Sequence, residues 1–416
     1  TYNAADSVIV GKYVGEQALA AVGTSTPIMN IAILLISGMC MGASVLMSSQ
    51  YGAKDYDTLS RQISTTMLAG CGFSVVFSLL MLLLANPVLR LIRVPETAIP
   101  EAAAYLRIIF MGLIFTFMYN FLANTMRALG DSKTPLYFLV TSAFLNIFGD
   151  LFFVVVLRWG VAGSAIATVC SEGLCCLLCG IYIKKKIPLL CLGKKWWVFD
   201  KSLLGKTVSY GSTSAMQQVC LQLGKLIIQS VVNTQGVAVM AAFTAVNRVD
   251  DFAYTPQQNI GHAMTTFLAQ NKGAGHKERM KKGFQTGLLI ELVYSIGLFC
   301  VIWGLAPQIM TLFAEDGDAQ VVSLGISYLH LISWMYILPG LTNGVQGFFR
   351  GIGDLKVTLY STFMNMFGRV VAVFVMIRLL QMEFASLAWA NMVGWIVMLL
   401  FEVPLLVKSM RNGECG

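Results

Sequence analysis

The sequence predicts an all-α integral membrane protein of about twelve transmembrane helices, in two six-helix lobes related by a parallel, pseudo-two-fold repeat. Three observations predict it. Of 416 residues, 56% are hydrophobic and only 12% charged, with a mean hydropathy of +0.71; ordinary soluble domains carry about 25% charged residues. The apolar residues gather in runs of roughly 20–30, the length a helix needs to cross the hydrocarbon core. The stretch Arg127-Ala128-Leu129-Gly130-Asp131-Ser132-Lys133 returns 223 residues later as Arg350-Gly351-Ile352-Gly353-Asp354-Leu355-Lys356.

Taken in order, the spans are expected at 1–11, 18–48, 60–85, 102–125, 135–157 and 161–183. A second set follows at 208–233, 237–270, 283–305, 321–348, 358–380 and 385–407. The chain opens on Thr1 within an apolar run, so the first span is expected to be truncated. Lys184-Lys185-Lys186, Lys194-Lys195 and Trp196-Trp197 mark a polar connector. The expected division is an N-terminal lobe at 1–186, a connector at 187–206 and a C-terminal lobe at 207–416. Tyr105 and Tyr137 recur at the same 223-residue offset as Tyr328 and Tyr360. Six spans per half is an even number, so the two repeats share one orientation, a known transporter plan.

Basic residues settle sidedness. Roughly 20 of the 29 Lys and Arg fall in alternate loops with the connector, which is therefore expected in the cytoplasm together with the C-terminus. The opposite loops hold the acidic run Glu315-Asp316-Gly317-Asp318. A net charge of +8 spread over short loops is not the basic patch that nucleic acid requires. The 10 cysteines lie mostly in apolar spans, and Cys176-Leu177-Leu178-Cys179 has no histidine beside it, so no metal or redox centre is expected. Asp200 to Thr207 lacks the first glycine of a phosphate loop and reads as connector. Gly351-Ile352-Gly353-Asp354 has the G-x-G-D form of intramembrane aspartyl proteases, with Asp57 a conceivable partner. Its place beside Arg350 and Lys356 reads instead as a loop turn with local charge pairing.

Carboxylates inside spans carry more information, because a charge in the bilayer is costly and marks function by default. The first half holds Asp6, Asp150 and Glu172 with no basic residue at similar depth. These acids must be protonated, bind a cation or face water. Asn146 and Asp150 are four apart and share a helical face. Counting from the outward loops places Asp6, Asp150 and Thr168 in one layer, roughly 9–12 Å inside the helix ends. Such a layer suits a proton or a hard cation such as Na⁺ at Asp6 and Asp150; interhelical hydrogen bonding is the alternative for Asn146 and Thr168. The second half mixes signs in Lys225, Arg248, Asp250, Asp251, Glu291 and Arg369, which permits internal pairing, for example Arg248 with Asp251. Glu172 and Glu291 are further acids without an assigned role, and Glu402 is placed to reach towards Lys408.

Tyr2-Asn3-Ala4-Ala5-Asp6-Ser7-Val8-Ile9-Val10-Gly11, Ala18-Leu19-Ala20-Ala21-Val22-Gly23 and the Arg127–Pro135 stretch with its repeat, in this order, resemble the multidrug and toxic compound extrusion (MATE) transporters. The resemblance runs over nearly the full length, to the bacterial branch with coupling acids in the N-terminal lobe. It implies a non-enzymatic, multi-pass plasma-membrane antiporter that exports amphipathic organic cations against H⁺ or Na⁺, with no cofactor. It also places coupling residues at Asp6, Asn146, Asp150 and Thr168. A monomer in lipid is expected. Another branch uses an acid in the seventh span, which here offers Gln217, Gln218, Gln222 and Lys225 but no carboxylate. A lipid-linked oligosaccharide flippase of the related superfamily is the runner-up; its pyrophosphate substrate calls for a cationic cleft, against the acidic N-terminal lobe. The 22 Met and 25 Phe suit a repackable surface for varied cations.

Overall fold

The computed structural model describes residues 2–91, 94, 96, 98–187, 197–313, 319–380, 384 and 386–411, and these are helical with short turns between. The first half comprises α1 (Tyr2–Tyr13), α2 (Glu16–Gly52), α3 (Tyr56–Leu91), α4 (Ile99–Met111), α5 (Leu113–Ala128), α6 (Lys133–Asp150) and α7 (Gly160–Lys186). The second comprises α8 (Lys201–Val232), α9 (Val237–Gly273), α10 (Lys277–Phe313), α11 (Ala319–Ser333), α12 (Ile337–Ile352), α13 (Leu355–Phe374) and α14 (Ser386–Arg411). α4 and α5 form one span bent by 45°, and α11 and α12 are joined by a single 3₁₀ turn, so the fourteen helices make twelve passes.

The repeat extends to the irregularities. The fourth pass breaks at Gly112 in one half and at Trp334–Tyr336 in the other. The fifth pass of each half ends in a π-helical turn, Leu151–Val156 and Val375–Leu379. Gly112 is required where it stands, because a Cβ there would run into the Val169 side chain on α7. The repeated Gly-Asp turns also match: Gly130 and Gly353 take positive φ, 92° and 86°, and end their helices as left-handed caps. Asp131 accepts the Thr134 N–H at 3.0 Å, starting α6, and Asp57 and Asp354 are both exposed, which removes the geometry of a buried aspartyl pair.

Among the described residues, eight helical stretches are long and apolar enough to cross a membrane, or nine with the bent α4–α5 pair counted as one. α1 is too short at 12 residues, and α8 and α9 are too polar, although both run in the predicted positions. Part of that polarity is buried, at Gln217, Asp250 and Gln257, while Lys225, Arg248 and Asp251 are exposed. Pro27 lies inside the continuous α2, after Thr24, Ser25 and Thr26, whose hydroxyls bond back to carbonyls of the preceding turn, at 3.1, 2.7 and 2.8 Å. Large apolar side chains such as Leu83, Phe148, Phe252, Leu312 and Leu400 point outward, as a lipid-facing surface requires.

Contacts divide the chain into two compact units, Thr1–Tyr51 with Asp55–Ala215, and Gly52–Lys54 with Met216–Gly416. The division falls inside α8, because the first half of that helix packs on α2. A Cβ at Gly38 or Gly42 would collide with backbone at Ala215 and Tyr210. The described end of the connector is tied to α3. Ser64 and Thr65 accept the N–H groups of Val198 and Asp200 at 3.0 and 3.1 Å, and Arg61 pairs with Asp200 at 2.5 Å. Asp200 also caps α8 through the Ser202 N–H at 2.8 Å. Lys194, Lys195, Trp196 and the run Glu315–Asp318 lie outside the described residues; Trp197 is exposed. The first unit's core centres on Met29, Tyr105, Phe110 and Phe121, the second's on Tyr328, Ile332, Met335 and Tyr336.

Three expected charge contacts are not formed. Asp251 pairs with Lys225 at 3.3 Å, across from α8, and not with Arg248. Glu402 does not reach Lys408, nor does Arg350 serve the Gly353 turn. Both are buried, and Glu402 faces Arg350, Ser361 and Gln346. Arg350 donates to Gln346 at 2.6 Å, and Gln217 adds bonds to Gln346 and Thr362 at 3.2 and 2.9 Å. The Gln346 amide oxygen meets the buried guanidinium directly, while Glu402 acts on it through its charge, without an ion pair or a hydrogen bond to either carboxylate oxygen.

Candidate functional site

The first unit gathers the four residues expected in one layer. Asp6 comes from α1, Asn146 and Asp150 from α6, and Thr168 from α7, and all are buried, with exposures from 0% to 5%. The Asn146 amide donates to the Thr168 hydroxyl at 3.2 Å. Thr168 has one proton to give and two acceptors in reach, Asp6 Oδ2 at 3.5 Å and the Ser164 carbonyl at 3.2 Å. Asp150 lies beside Asp6 and Ser164.

Local sequence explains the convergence. Gly149 lets α6 close on α7, since a Cβ there would sit 3.0 Å from the Ala167 Cβ; Gly163 does the same opposite the Phe153 carbonyl, at 3.0 Å. Small residues at such crossings bring membrane helices to backbone contact. The π-helical turn Leu151–Val156 begins directly after Asp150, a distortion common at functional sites.

The site is short of donors. Asp6 Oδ1, Asn146 Oδ1, both Asp150 oxygens and Ser164 Oγ are buried without a hydrogen-bond partner. Five clustered oxygens with so little to neutralise them form a place for a proton or a hard cation, and a poor structural core. Sequence reasoning passed over Ser164, though it stands one turn before Thr168 on the same face and that spacing was available. Tyr105, in van der Waals range of Met29 with its hydroxyl 3.8 Å from the sulfur, lies near Asp6, Asp150 and Glu172.

Glu172 is adjacent to this site and half-buried. It accepts the Thr116 hydroxyl and shares a cavity with Thr168. Glu291 belongs to the other unit, buried near Gln257 and Ser295, with neither carboxylate oxygen hydrogen-bonded. There the repeat positions carry different chemistry. Tyr328, the counterpart of Tyr105, donates to Asp250 at 3.0 Å, and Tyr336 donates to its other oxygen at 2.5 Å. Asn391 supports Tyr328 at 2.8 Å, and Arg369, the counterpart of Asn146, is the neighbouring cation. Asp250 is thus satisfied from within, whereas Asp6 and Asp150 are not. Among the described residues no group of three or more His, Cys, Asp or Glu could hold a metal ion.

A many-spanned helical protein with a desolvated acidic cluster in one of two repeated units is, as a class, a candidate membrane transporter. The MatE family profile matches residues 1–152 and 214–376, and the chain belongs to the MATE family. It is 31% identical over 357 residues to "Probable multidrug resistance protein YpnP" of Bacillus subtilis, covering 85% of this chain and 79% of that protein. It is 23% identical over 406 residues to "Probable multidrug resistance protein NorM" of Thermotoga maritima, covering 95% and 85%. A solved outward-facing conformation of a multidrug resistance MATE family transporter superposes with a TM-score of 0.91 at 22% identity, over 100% of this chain and 92% of that one, and shows the fold.

Proposed function

We propose that the protein exports amphipathic organic cations by alternating access, in antiport with H⁺ or Na⁺ taken up at Asp6 and Asp150. The observation that carries this reading is the donor-poor cluster of Asp6, Asn146, Asp150, Ser164 and Thr168. With the ion absent the cluster is negative and favours a lipophilic cation nearby; with the ion bound that attraction is removed and the substrate leaves. Linkage makes the effect reciprocal: whatever factor the ion takes from substrate affinity, the substrate takes from ion affinity. The names of the two relatives support drugs as substrates. The proposal places a monomer in the bacterial plasma membrane, its lobes at 1–186 and 207–416 joined through a cytoplasmic connector at 187–206.

Two experiments test it. In everted vesicles, ethidium transport is expected to follow an imposed pH gradient or an imposed Na⁺ gradient when each is applied alone in turn; transport indifferent to both contradicts antiport. For orientation, Asp131→Cys and Asp354→Cys are expected to react with impermeant maleimide from the cytoplasmic side only. Labelling of either from outside reverses the topology.

A further inference from the structure

Glu172 is an acid at mid-span in the first unit that the site above leaves without a task. It follows Thr168 by four residues on α7, so the two share a face. Twelve residues separate it from Gly160 and twelve from Lys184, which places it at mid-helix, about 18 Å from either end. Thr116 on α5 donates its hydroxyl to the carboxylate. Titratable groups that feel its charge include Tyr105 on α4, Tyr119 on α5 and Cys175 on its own helix.

Between Glu172 and Thr168 lies a cavity of about 10 Å³, walled by Thr116 and by apolar Met29, Ile109 and Val169. That is close to the ~10–15 Å³ one water molecule needs, and three oxygen-bearing side chains line it. Thr168 in turn reaches Asp6. Hydrogen-bonding groups therefore run from the acid pair to Glu172 with one water-sized gap. The line continues past Thr116: Asn120 donates to the Thr116 carbonyl and Asn124 to the Asn120 carbonyl, both at 2.8 Å, a polar stripe descending α5 for about 12 Å.

We propose that Glu172 is a proton relay, taking the proton released by Asp6 or Asp150 through the Thr168 hydroxyl and one water and handing it on towards the cytoplasmic end of α5. In each hop one O–H bond breaks as another forms: the carboxylic acid protonates the Thr168 oxygen, Thr168 passes its own proton to water, and water passes one to the Glu172 carboxylate. Nothing is oxidised or reduced. The proposal rests on the antiport reading and makes H⁺ the coupling ion, because Na⁺ does not travel by exchange along hydroxyls.

Purified full-length chain in liposomes, with an internal pH dye and ethidium as probe, tests it. Glu172→Gln is expected to slow proton-driven ethidium transport about tenfold or more while ethidium affinity stays within about twofold, because a relay acts on proton transfer and leaves binding alone. Glu172→Asp should recover much of the rate. Thr116→Val, which keeps the carboxylate and removes its donor, should give an intermediate rate and guards against a Gln variant that fails to fold. Wild-type transport rates in Glu172→Gln, or a loss that tracks ethidium affinity and is not recovered by Asp, overturns the relay. Wild-type protein indifferent to the pH gradient fails the antiport reading with H⁺ itself, a result distinguishable from failure of the relay alone.

Discussion

Asp150→Asn is expected to cut ion-driven cation export about a hundredfold or more, equivalent to roughly 3 kcal/mol of lost coupling. The folded protein should remain as stable as wild type or become more so. Asp150 is fully buried, neither of its oxygens is hydrogen-bonded, and its nearest ionisable neighbour is another acid. The amide fills the same volume, removes a charge that the low dielectric penalises, and brings a donor to a site that lacks them. Asp6→Asn is expected to behave alike. A drug-sensitive host expressing each variant gives the export readout and thermal unfolding of purified protein gives the stability. Full resistance in both variants removes the coupling role; loss of export together with loss of fold makes the acids structural.

Glu402→Gln should give the opposite pattern. Arg350 is buried, and Glu402 is the carboxylate facing it from α14. Neutralising Glu402 leaves a buried guanidinium without a counter-charge, a change that costs on the order of 3 kcal/mol. The melting temperature should fall markedly, while the protein that remains folded keeps its ion dependence. Arg350→Met combined with Glu402→Leu should regain most of the loss, since an apolar pair in place of two buried opposite charges is often close to neutral. Equal melting temperatures for wild type and Glu402→Gln contradict this account of the second unit's interior.

The contrast shows which parts of the molecule were legible in the chain alone. Spans, turns and repeat were legible because each rests on local chemistry: apolar length, Gly-Asp after a helix, the same string twice. The layer of Asp6, Asn146, Asp150 and Thr168 was legible because depth in a membrane follows residue count along straight helices. Ser164 shares that face by spacing, but serine in a span so commonly bonds its own backbone that it drew no notice. Partners of charged residues in the second half were not legible, since they come from distant elements. Asp250 meets Tyr328 and Tyr336, 78 and 86 residues away, and Asp251 takes Lys225 from the preceding helix. Glu402 lies within Coulombic reach of Arg350, whose place beside Gly353-Asp354 reads in the sequence as local charge pairing in a turn. Which buried charge is satisfied and which is left over decides between scaffold and site, and packing alone determines it.

The most direct test of the coupling claim is the affinity of purified protein for ethidium across pH 5 to 8.5, at zero and saturating Na⁺, in wild type, Asp150→Asn and Glu402→Gln. Wild type and Glu402→Gln should both lose affinity as the coupling ion rises, about tenfold or more across the range, corresponding to a coupling energy within the usual 1–3 kcal/mol. Asp150→Asn should show a flat profile. An Asp150→Asn profile that follows wild type contradicts the assignment and turns attention to Glu291, a buried acid of the second unit whose two carboxylate oxygens have no hydrogen-bond partner.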